Sequence, residues 1–288
     1  MSDITRVGVI GCGLMGSGIA EVCARAGLEV IVREIDDTAA AAGRDRIRAS
    51  LGRAVKAGKL SSLERDAALE CVTVTTELSD LADRDLVIEA ATENPEVKAA
   101  LFAELDRTVK QPEAILATNT SSIPIVQVAR ATSRPAQVVG LHFFNPAPVQ
   151  KLVEVIPSVL TGPQTAERAS AFVTGTLVKT AITAPDRSGF VVNALLVPYL
   201  LAAIRMLDAG HATAGDIDTG MVLGCAHPMG PLRLADLIGL DTLRAVADSM
   251  YEEFKEPLYA APPLLCRMTD AGLLGRKAGR GFYDYQQA

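Results

Sequence analysis

The chain has 288 residues, of which 49% are hydrophobic and 22% charged, and its formal net charge is −6. This length allows two domains of ordinary size or one large α/β domain, and it favours two. The acidic balance argues against nucleic acid or anionic lipid as a partner, since both require a basic surface. The five cysteines are scattered without a CxxC pair, so we expect reduced thiols, no metal site and a cytoplasmic location.

Two stretches bear on secretion and membranes. The N-terminus MSDITRVGVI begins with polar residues and continues directly into a strand-like run, so it lacks the order of a secretory signal. The most apolar stretch, residues 189–204, is shorter than the roughly 20 residues that cross a bilayer, and it contains Asn193 and Pro198. We therefore expect a buried helix there and no membrane partner.

The N-terminal part of the chain alternates short β-branched runs with helical patterns. The order begins strand, glycine-rich turn, helix, strand, and a helical region over residues 37–70 then precedes the third strand. Strands are predicted at 6–10, 29–34, 72–76, 86–90, 114–120, 138–144, 152–156 and 178–183, the third to sixth separated by helical patterns. The pattern predicts a Rossmann-like, doubly wound, mostly parallel sheet in which region 37–70 is a helical-hairpin insertion.

The rest of the chain has a helical pattern. We place the domain boundary near Pro185, so that residues 1–185 form the sheet domain and residues 186–288 an all-α domain. Ser188 is the expected N-cap of the first C-terminal helix. The predicted helices of this domain cover residues 188–209, 213–223, 231–253 and 260–274.

The glycine-rich turn GCGLMG, residues 11–16, follows a predicted strand and opens a predicted helix. Gly11 permits the tight turn, Gly13 lets the backbone approach a pyrophosphate, and Gly16 allows close helix packing. Glu34 ends the second strand, where a carboxylate hydrogen-bonds to the ribose diol and repels a 2′-phosphate. The turn therefore predicts a dinucleotide and favours NAD over NADP, although Arg33 leaves NADP open; a glycine turn without a ligand is the alternative.

His142 and Glu154 lie in consecutive predicted strands that are otherwise apolar. A carboxylate that hydrogen-bonds to an imidazole fixes its tautomer and stabilises its cationic form. Such a pair suits a base that accepts a hydroxyl proton while hydride leaves the carbon, which is alcohol oxidation. The alternative is a buried histidine beside an unrelated glutamate.

Six motifs occur in order along the chain: GCGLMG (11–16), NTSS (119–122), HFFNP (142–146), LVEVI (152–156), SGFVVN (188–193) and HPMGPL (227–232). Together they resemble the L-3-hydroxyacyl-CoA dehydrogenase family, and the length resembles that of its bacterial members acting on 3-hydroxybutyryl-CoA. The resemblance implies NAD-dependent interconversion of a short-chain 3-hydroxyacyl-CoA and its 3-ketoacyl-CoA. It also implies a homodimer formed through the C-terminal domain.

The resemblance further implies roles for individual residues. His142 and Glu154 match the catalytic dyad, and Ser121 and Asn193 match the residues that hold the substrate. The cofactor contacts that it implies are Gly11, Gly13, Leu14, Met15, Gly16, Glu34, Glu93, Lys98, Asn119, Ser121, Asn145 and Lys277. Ser50 and Lys56 are the nearest candidates for coenzyme A contacts.

A basic segment supports an acyl-CoA substrate independently of the resemblance. Between residues 43 and 60 a single acid, Asp45, accompanies six bases: Arg44, Arg46, Arg48, Arg53, Lys56 and Lys59. Coenzyme A carries a pyrophosphate and a 3′-phosphate that need cationic partners. A solvated helix face would give the same pattern.

Several of these residues have structural alternatives. Ser121 could cap the following helix, and Glu89 and Lys98 could be a strand-end charge and part of a solvated helix face. His211 and His227 are expected to be structural. For the whole chain, the competing functions are a dehydrogenase of a free hydroxy or sugar acid and a cofactor-binding protein without catalysis.

Overall fold

The structure is a computed structural model that describes residues 3–286. It divides into two compact units, Met1–Asp186 and Arg187–Ala288, here called the sheet unit and the helical unit. Each has its own hydrophobic core.

The sheet unit contains one eight-stranded sheet with the order β3-β2-β1-β4-β5-β6-β7-β8. Its strands are β1 Arg6–Ile10, β2 Glu29–Arg33, β3 Val72–Thr75, β4 Leu86–Glu89, β5 Ile115–Thr118, β6 Val138–Phe143, β7 Leu152–Ile156 and β8 Thr180–Thr183. All neighbours are parallel except β6 and β7, which are antiparallel. The central strands β4, β5 and β6 are buried throughout, as expected where helices cover a parallel sheet on both faces. The predicted doubly wound, mostly parallel sheet is confirmed.

Six α-helices accompany the sheet. They are α1 Leu14–Arg25, α2 Asp37–Lys56, α3 Ser62–Glu70, α4 Pro95–Thr108, α5 Ile125–Ala129 and α6 Pro163–Ala171. The helical pattern expected between β3 and β4 is wrong, because that connection contains only a short 3₁₀ turn, Leu78–Leu81.

The predicted helical hairpin is formed by α2 and α3. Asp36 caps α2 by accepting a hydrogen bond from the Ala39 backbone N–H at 2.8 Å. Gly58, with φ +66°, lies in the turn that follows α2. Ser61 and Glu64 then start α3 with a reciprocal capping box. Ile47 and Leu51, on one side of α2, are buried in the core of the sheet unit.

The strand order places four functional segments along one edge of the sheet. The last residue of β1 pairs with Glu89, Glu89 pairs with Thr118, and Thr118 pairs with Gly140. The segments that follow β1, β4 and β5, together with the end of β6, therefore lie side by side, and this edge is here called the carboxyl edge. The strand order reverses between β1 and β4, which is where doubly wound sheets bind ligands.

Over residues 187–286, the helical unit contains five α-helices. They are α7 Val192–Asp208, α8 Ala214–Cys225, α9 Pro231–Ile238, α10 Leu240–Phe254 and α11 Pro263–Asp270. Its core combines leucines of α7, α9 and α10, such as Leu200, Leu232 and Leu243. Within residues 3–286, none of the helices combines the length and the hydropathy that a membrane crossing needs.

Three expectations at element ends are wrong. Ser188 does not cap α7, which begins only at Val192, because Gly189 and Phe190 have positive φ values of 82° and 45° and interrupt the helical path. Gly239, with φ +101°, divides the helix predicted over 231–253 into α9 and α10. The last strand begins at Thr180 and not at residue 178, since Val178 has φ +52°.

The helix predicted over 260–274 is also too long. Proline at both 262 and 263 fixes the start of α11 at Pro263. Gly272, with φ +73°, follows its end and turns the chain away from the helix axis.

Candidate active site

The glycine turn after β1 has the geometry of a phosphate cradle. Gly11 has φ +85°, and a Cβ added there would lie 2.9 Å from the Ala90 carbonyl oxygen. A Cβ on Gly16 would lie 1.8 Å from the Gly11 carbonyl oxygen, so both positions require glycine. Around Gly13, by contrast, an added Cβ would meet no atom within 4 Å, which leaves the backbone open to a ligand.

Helix α1 begins directly at this open position. Its N-cap is Gly13, which has no side chain to cap the helix. The first backbone N–H groups of α1 therefore remain available to a ligand in the space beside the turn. Leu14 is largely exposed, whereas Met15 packs against the core. The turn and the helix terminus therefore fit the pyrophosphate of a dinucleotide.

Glu34 follows β2 and contacts the glycine turn. Its Oε1 accepts a hydrogen bond from the Cys12 backbone N–H at 2.5 Å, and its Oε2 accepts one from the Ile35 N–H at 2.9 Å. Burial and, to a smaller extent, the Glu34 carboxylate raise the pKa of the Cys12 thiol, Arg46 opposes them, and the result is a pKa of about 11. Cys12 is therefore a protonated packing residue, and Glu34 is the acidic group at this end of the turn.

His142 and Glu154 form the buried pair expected from the sequence. They are direct partners in the antiparallel register of β6 and β7, which places their side chains on the same face of the sheet. His142 Nδ1 and Glu154 Oε2 are 2.6 Å apart, and Glu154 is completely buried. The Phe144 ring packs 4.6 Å from the imidazole, centroid to centroid. The carboxylate thus fixes the imidazole orientation through Nδ1.

A second buried charged group lies at the end of β4. Lys98 of α4 is 1% exposed, and its Nζ donates to both oxygens of Glu89 at 2.6 and 2.7 Å. Thr118 of β5 donates its hydroxyl to Glu89 Oε2 at 2.7 Å. The alternative of a solvated helix face is therefore wrong for Lys98, which is part of the interior.

Glu93 organises the turn that contains Ser121. Its Oε1 accepts hydrogen bonds from the Thr120 hydroxyl at 2.5 Å, from the Ser121 backbone N–H at 2.9 Å and from the Ser122 hydroxyl at 3.0 Å. Burial alone would raise the pKa of the Glu93 carboxyl. The Lys98 ammonium, whose Nζ lies 3.4 Å from Glu93 Oε2, and the hydrogen-bond donors have a larger opposite effect, so the pKa is lowered. Glu93 is therefore ionised at neutral pH and holds residues 120–122 in place.

Ser121 does not cap the next helix, which excludes its structural alternative. The helix α5 begins four residues later, after Pro124. Its first N–H groups, those of Ile125 and Val126, donate to the Asp186 carboxylate at 2.6 and 2.9 Å.

Asn119 directly follows β5, and Asn145 follows β6, the strand that contains His142. The Asn119 Oδ1 accepts a hydrogen bond from the Phe143 backbone N–H at 2.8 Å, so the asparagine after β5 is tied to the residue after His142. Asn145 is exposed in the segment that follows β6.

The basic segment of α2 contains two kinds of side chain. Arg44 donates to the Val74 carbonyl oxygen at 2.9 Å, Arg46 donates to the Cys12 carbonyl oxygen, and Arg48 lies 3.4 Å from Asp45. All six bases are exposed; the last three, Arg53 and Lys56 in the final turn of α2 and Lys59 just after it, are here called the basic face. Ser50 is partly buried on the same helix.

The other two predicted site residues belong to the helical unit. Asn193 is partly buried in the first turn of α7. Lys277 forms an ion pair with Asp241, with Nζ 2.6 Å from Oδ1.

Comparison with known proteins identifies the family. Residues 6–187 match the 3-hydroxyacyl-CoA dehydrogenase, NAD binding domain, and residues 189–285 match the 3-hydroxyacyl-CoA dehydrogenase, C-terminal domain. The chain belongs to the 3-hydroxyacyl-CoA dehydrogenase family. The Rossmann-type sheet unit is thus the NAD-binding domain of this dehydrogenase family.

Full-length relatives agree with this assignment. The chain is 60% identical to a 3-hydroxybutyryl-CoA dehydrogenase of Mycobacterium tuberculosis, covering 99% of this chain and 100% of the relative. The crystal structure of M. tuberculosis FadB2 superposes with a TM-score of 0.97 at 60% identity, over 98% of this chain and 99% of that chain. (S)-3-hydroxybutyryl-CoA dehydrogenase PaaH1 from Ralstonia eutropha gives a TM-score of 0.92 at 44% identity, over 99% of this chain and 100% of that chain.

The sequence did not identify every contact at the carboxyl edge. The roles of Thr118 and Thr120 as hydrogen-bond donors to Glu89 and Glu93 were not predicted. The sequence did contain one signal, since Glu89 ends the otherwise apolar strand LVIE and a buried carboxylate needs partners. The contact between Arg46 and the glycine turn had no local signal, because it joins segments 34 residues apart.

Proposed function

We propose that this protein is an NAD-dependent dehydrogenase that interconverts a short-chain (S)-3-hydroxyacyl-CoA, such as 3-hydroxybutyryl-CoA, and the 3-ketoacyl-CoA. The observation that carries the proposal is the buried pair of His142 on β6 and Glu154 on β7, which are 2.6 Å apart, with β6 next to β5 in the sheet. The names of the M. tuberculosis and R. eutropha relatives support the substrate class.

The chain would hold NAD at the carboxyl edge. Gly11, Gly13 and Gly16 would shape the pyrophosphate site with the N-terminus of α1, while Leu14 and Met15 line its first turn. Glu34 would accept hydrogen bonds from the ribose diol. The other proposed contacts are Glu93, Asn119, Ser121, Asn145 and Lys277. Because Lys98 is buried against Glu89, it would act through Glu93 and would not touch the cofactor directly.

In the direction of oxidation, bound NAD⁺ supplies the hydride acceptor. Glu154 holds Nδ1 of His142, so the opposite ring nitrogen, Nε2, accepts the proton of the C3 hydroxyl. The resulting imidazolium is stabilised by the Glu154 carboxylate on the same face of the sheet. In the direction of reduction, the imidazolium returns the proton to the C3 oxygen.

Ser121 and Asn193 would position the reacting end of the substrate. The Glu93 carboxylate accepts hydrogen bonds from the Ser121 backbone N–H at 2.9 Å and from its hydroxyl at 3.4 Å, so the serine would be held in place to hydrogen-bond to the C3 oxygen. Asn193, in the first turn of α7, would hydrogen-bond to the thioester carbonyl.

The basic face favours an acyl-CoA over a free hydroxy acid. Lys56, with Arg53 and Lys59, would bind the phosphates of coenzyme A, and Ser50 would add a hydroxyl. A free acid needs no such cluster on the helical insertion. A cofactor-binding protein without catalysis would not need the buried pair of His142 and Glu154.

We propose a cytoplasmic homodimer formed through the helical unit. This unit has a groove of about 590 Å³ with a mainly apolar lining that includes Val191, Leu195 and Leu196. Leu195 and Leu223 are 75% and 79% exposed, and a second copy would cover such side chains. Light scattering on a Leu195→Lys variant tests this, and an unchanged dimer mass would reject this face as the interface.

Initial rates with two substrates and two cofactors test the proposed function. The purified protein is assayed with acetoacetyl-CoA and with free acetoacetate, each with NADH and with NADPH. We expect reduction of acetoacetyl-CoA with NADH and a much lower kcat/KM for free acetoacetate. Equal kcat/KM values for the two substrates would favour the dehydrogenase of a free acid, and no reduction of either would reject the assignment.

A further inference from the structure

Helix α2 lies directly against the glycine turn. A Cβ added to Gly43 would be 2.6 Å from both Cβ and Sγ of Cys12, so this glycine permits the close approach. Arg46 follows one turn later on the same helix, and its Nη1 donates to the Cys12 carbonyl oxygen. The helical insertion therefore delivers a guanidinium group to the dinucleotide turn itself.

A carboxylate approaches the same residue of the turn. Glu34 Oε1 accepts the Cys12 N–H, while Arg46 donates to the Cys12 carbonyl. The two opposite charges thus flank one residue in the middle of the turn. Arg33, the sequence-based candidate for a phosphate partner, is directed elsewhere, since its Nε donates to the Thr76 carbonyl oxygen at 3.2 Å.

The chemistry of the two groups toward the adenosine ribose is different. A carboxylate accepts hydrogen bonds from the free diol and repels a 2′-phosphate. A guanidinium binds a phosphate through two parallel N–H groups, and this charged contact is stronger than a hydrogen bond to a neutral carbonyl. Arg46 is exposed overall, so its side chain has room to exchange the Cys12 carbonyl for a phosphate.

We propose that Arg46 is a cofactor-selectivity residue, which binds the 2′-phosphate of NADPH beside Glu34 and so lets the protein bind NADPH as well as NADH. This inference rests on the proposed function only in requiring that the glycine turn binds a dinucleotide. Glu34 sets the preference for NADH, and Arg46 limits how strongly NADPH is rejected.

Calorimetric binding of two adenosine fragments to the full-length protein tests this without catalysis. Adenosine 2′,5′-bisphosphate carries the 2′-phosphate, and 5′-AMP lacks it. Loss of one charge-assisted phosphate contact corresponds to a Kd increase of about tenfold or more. We therefore expect Arg46→Ala to weaken the bisphosphate by about tenfold and 5′-AMP by less than about twofold. The matched control is Arg65→Ala, an arginine of α3 that lies 2.8 Å from Asp66 and should change neither Kd.

A second pair of variants separates selectivity from support of the turn. Glu34→Ala should strengthen binding of the bisphosphate, and adding Arg46→Ala should remove that gain. Equal weakening of both fragments in Arg46→Ala would show that Arg46 only supports the turn, and it would overturn the proposal. Unchanged binding of the bisphosphate, or no binding of it by the unmodified protein, would overturn it as well. If neither fragment nor NADH binds the unmodified protein, the proposed dinucleotide site fails with it.

Discussion

The carboxyl edge of the sheet and the basic face of α2 both carry charge, but they differ in burial. At the carboxyl edge, Glu89 and Glu154 are completely buried, and each has a partner atom 2.6 Å away. On the basic face, Arg53, Lys56 and Lys59 are exposed. The first region holds its charges in one arrangement, whereas the second presents them on long side chains to solvent.

This difference in burial predicts a difference in kinetic role. Removing one partner of a buried ion pair typically lowers the free energy of unfolding by about 3–5 kcal/mol, because the other charge is left uncompensated. An exposed ion pair contributes about 0.2–1 kcal/mol and is screened by salt. We therefore expect substitutions at the carboxyl edge to lower kcat, and substitutions on the basic face to raise KM for the acyl-CoA.

Replacing His142 should have the largest effect. General acid–base catalysis supplies about 10²–10⁴ in rate, so we expect His142→Ala to lower kcat for acetoacetyl-CoA by that factor. The Kd for NADH should stay nearly unchanged, because the glycine turn is intact. Initial rates and NADH titration of the folded variant measure both quantities.

The matched control for this variant is His211→Ala, because His211 is exposed in the loop between α7 and α8. It should keep the kcat of the unmodified protein. A near-normal kcat in His142→Ala would show that His142 is a buried structural histidine and would contradict the proposed mechanism.

Replacing Glu154 tests whether the carboxylate charge matters beyond its shape. Glu154→Gln keeps the side-chain volume but removes the charge that stabilises the imidazolium. Loss of a charge-assisted hydrogen bond costs about 1.5–3 kcal/mol, so kcat should fall roughly 10- to 150-fold with little change in NADH Kd. A fall in NADH affinity that matches the fall in kcat would instead indicate a general loss of structure at the carboxyl edge.

Replacing Glu93 tests whether the turn that contains Ser121 contributes to catalysis. Glu93→Gln weakens the hydrogen bonds that hold Thr120, Ser121 and Ser122, so we expect kcat to fall by up to about tenfold and Tm to decrease. A normal kcat with a lowered Tm would mean that this turn stabilises the domain without positioning the substrate.

The stability difference in Glu93→Gln should also depend on pH. The folded-state pKa of Glu93 lies below its usual value, so the ionised form stabilises the fold. That contribution is fully present above the unfolded-state pKa and is lost as pH falls through the lowered folded-state pKa. The Tm of the variant and of the unmodified protein should therefore converge in acid, and a constant difference would contradict the assignment of the charge.

The sequence predicted the elements of the site that depend on local pattern. The glycine spacing determines the turn before α1, and the two short strands that contain His142 and Glu154 can pair in only a few registers. The burial of Lys98 was not predictable in this way, because it depends on how α4 packs beside β4 and β5. Charge patterns along a helix do not reveal which charged residues face the interior.

The element ends that were wrong have a common physical cause. Ser188, Gly239 and Val178 all lie at or beside residues with positive φ. Glycine adopts such angles readily, but Phe190 and Val178 do so at a cost that only tertiary packing can offset. Residue propensities therefore place a helix or strand across these positions, whereas the folded chain turns there.

Substitutions on the basic face should have the smallest effect, and they should change KM rather than kcat. We expect Lys56→Ala to raise KM for acetoacetyl-CoA by up to about fivefold at low ionic strength with kcat nearly unchanged, since one exposed phosphate contact contributes at most about 1 kcal/mol. The increase should shrink as salt is added, because screening already weakens the contact in the unmodified protein. Lys110→Ala removes an equal charge from an exposed lysine outside α2 and should leave KM unchanged. If KM also stays unchanged after Arg53, Lys56 and Lys59 are all replaced by alanine, the basic face is a solvated surface and coenzyme A is bound elsewhere.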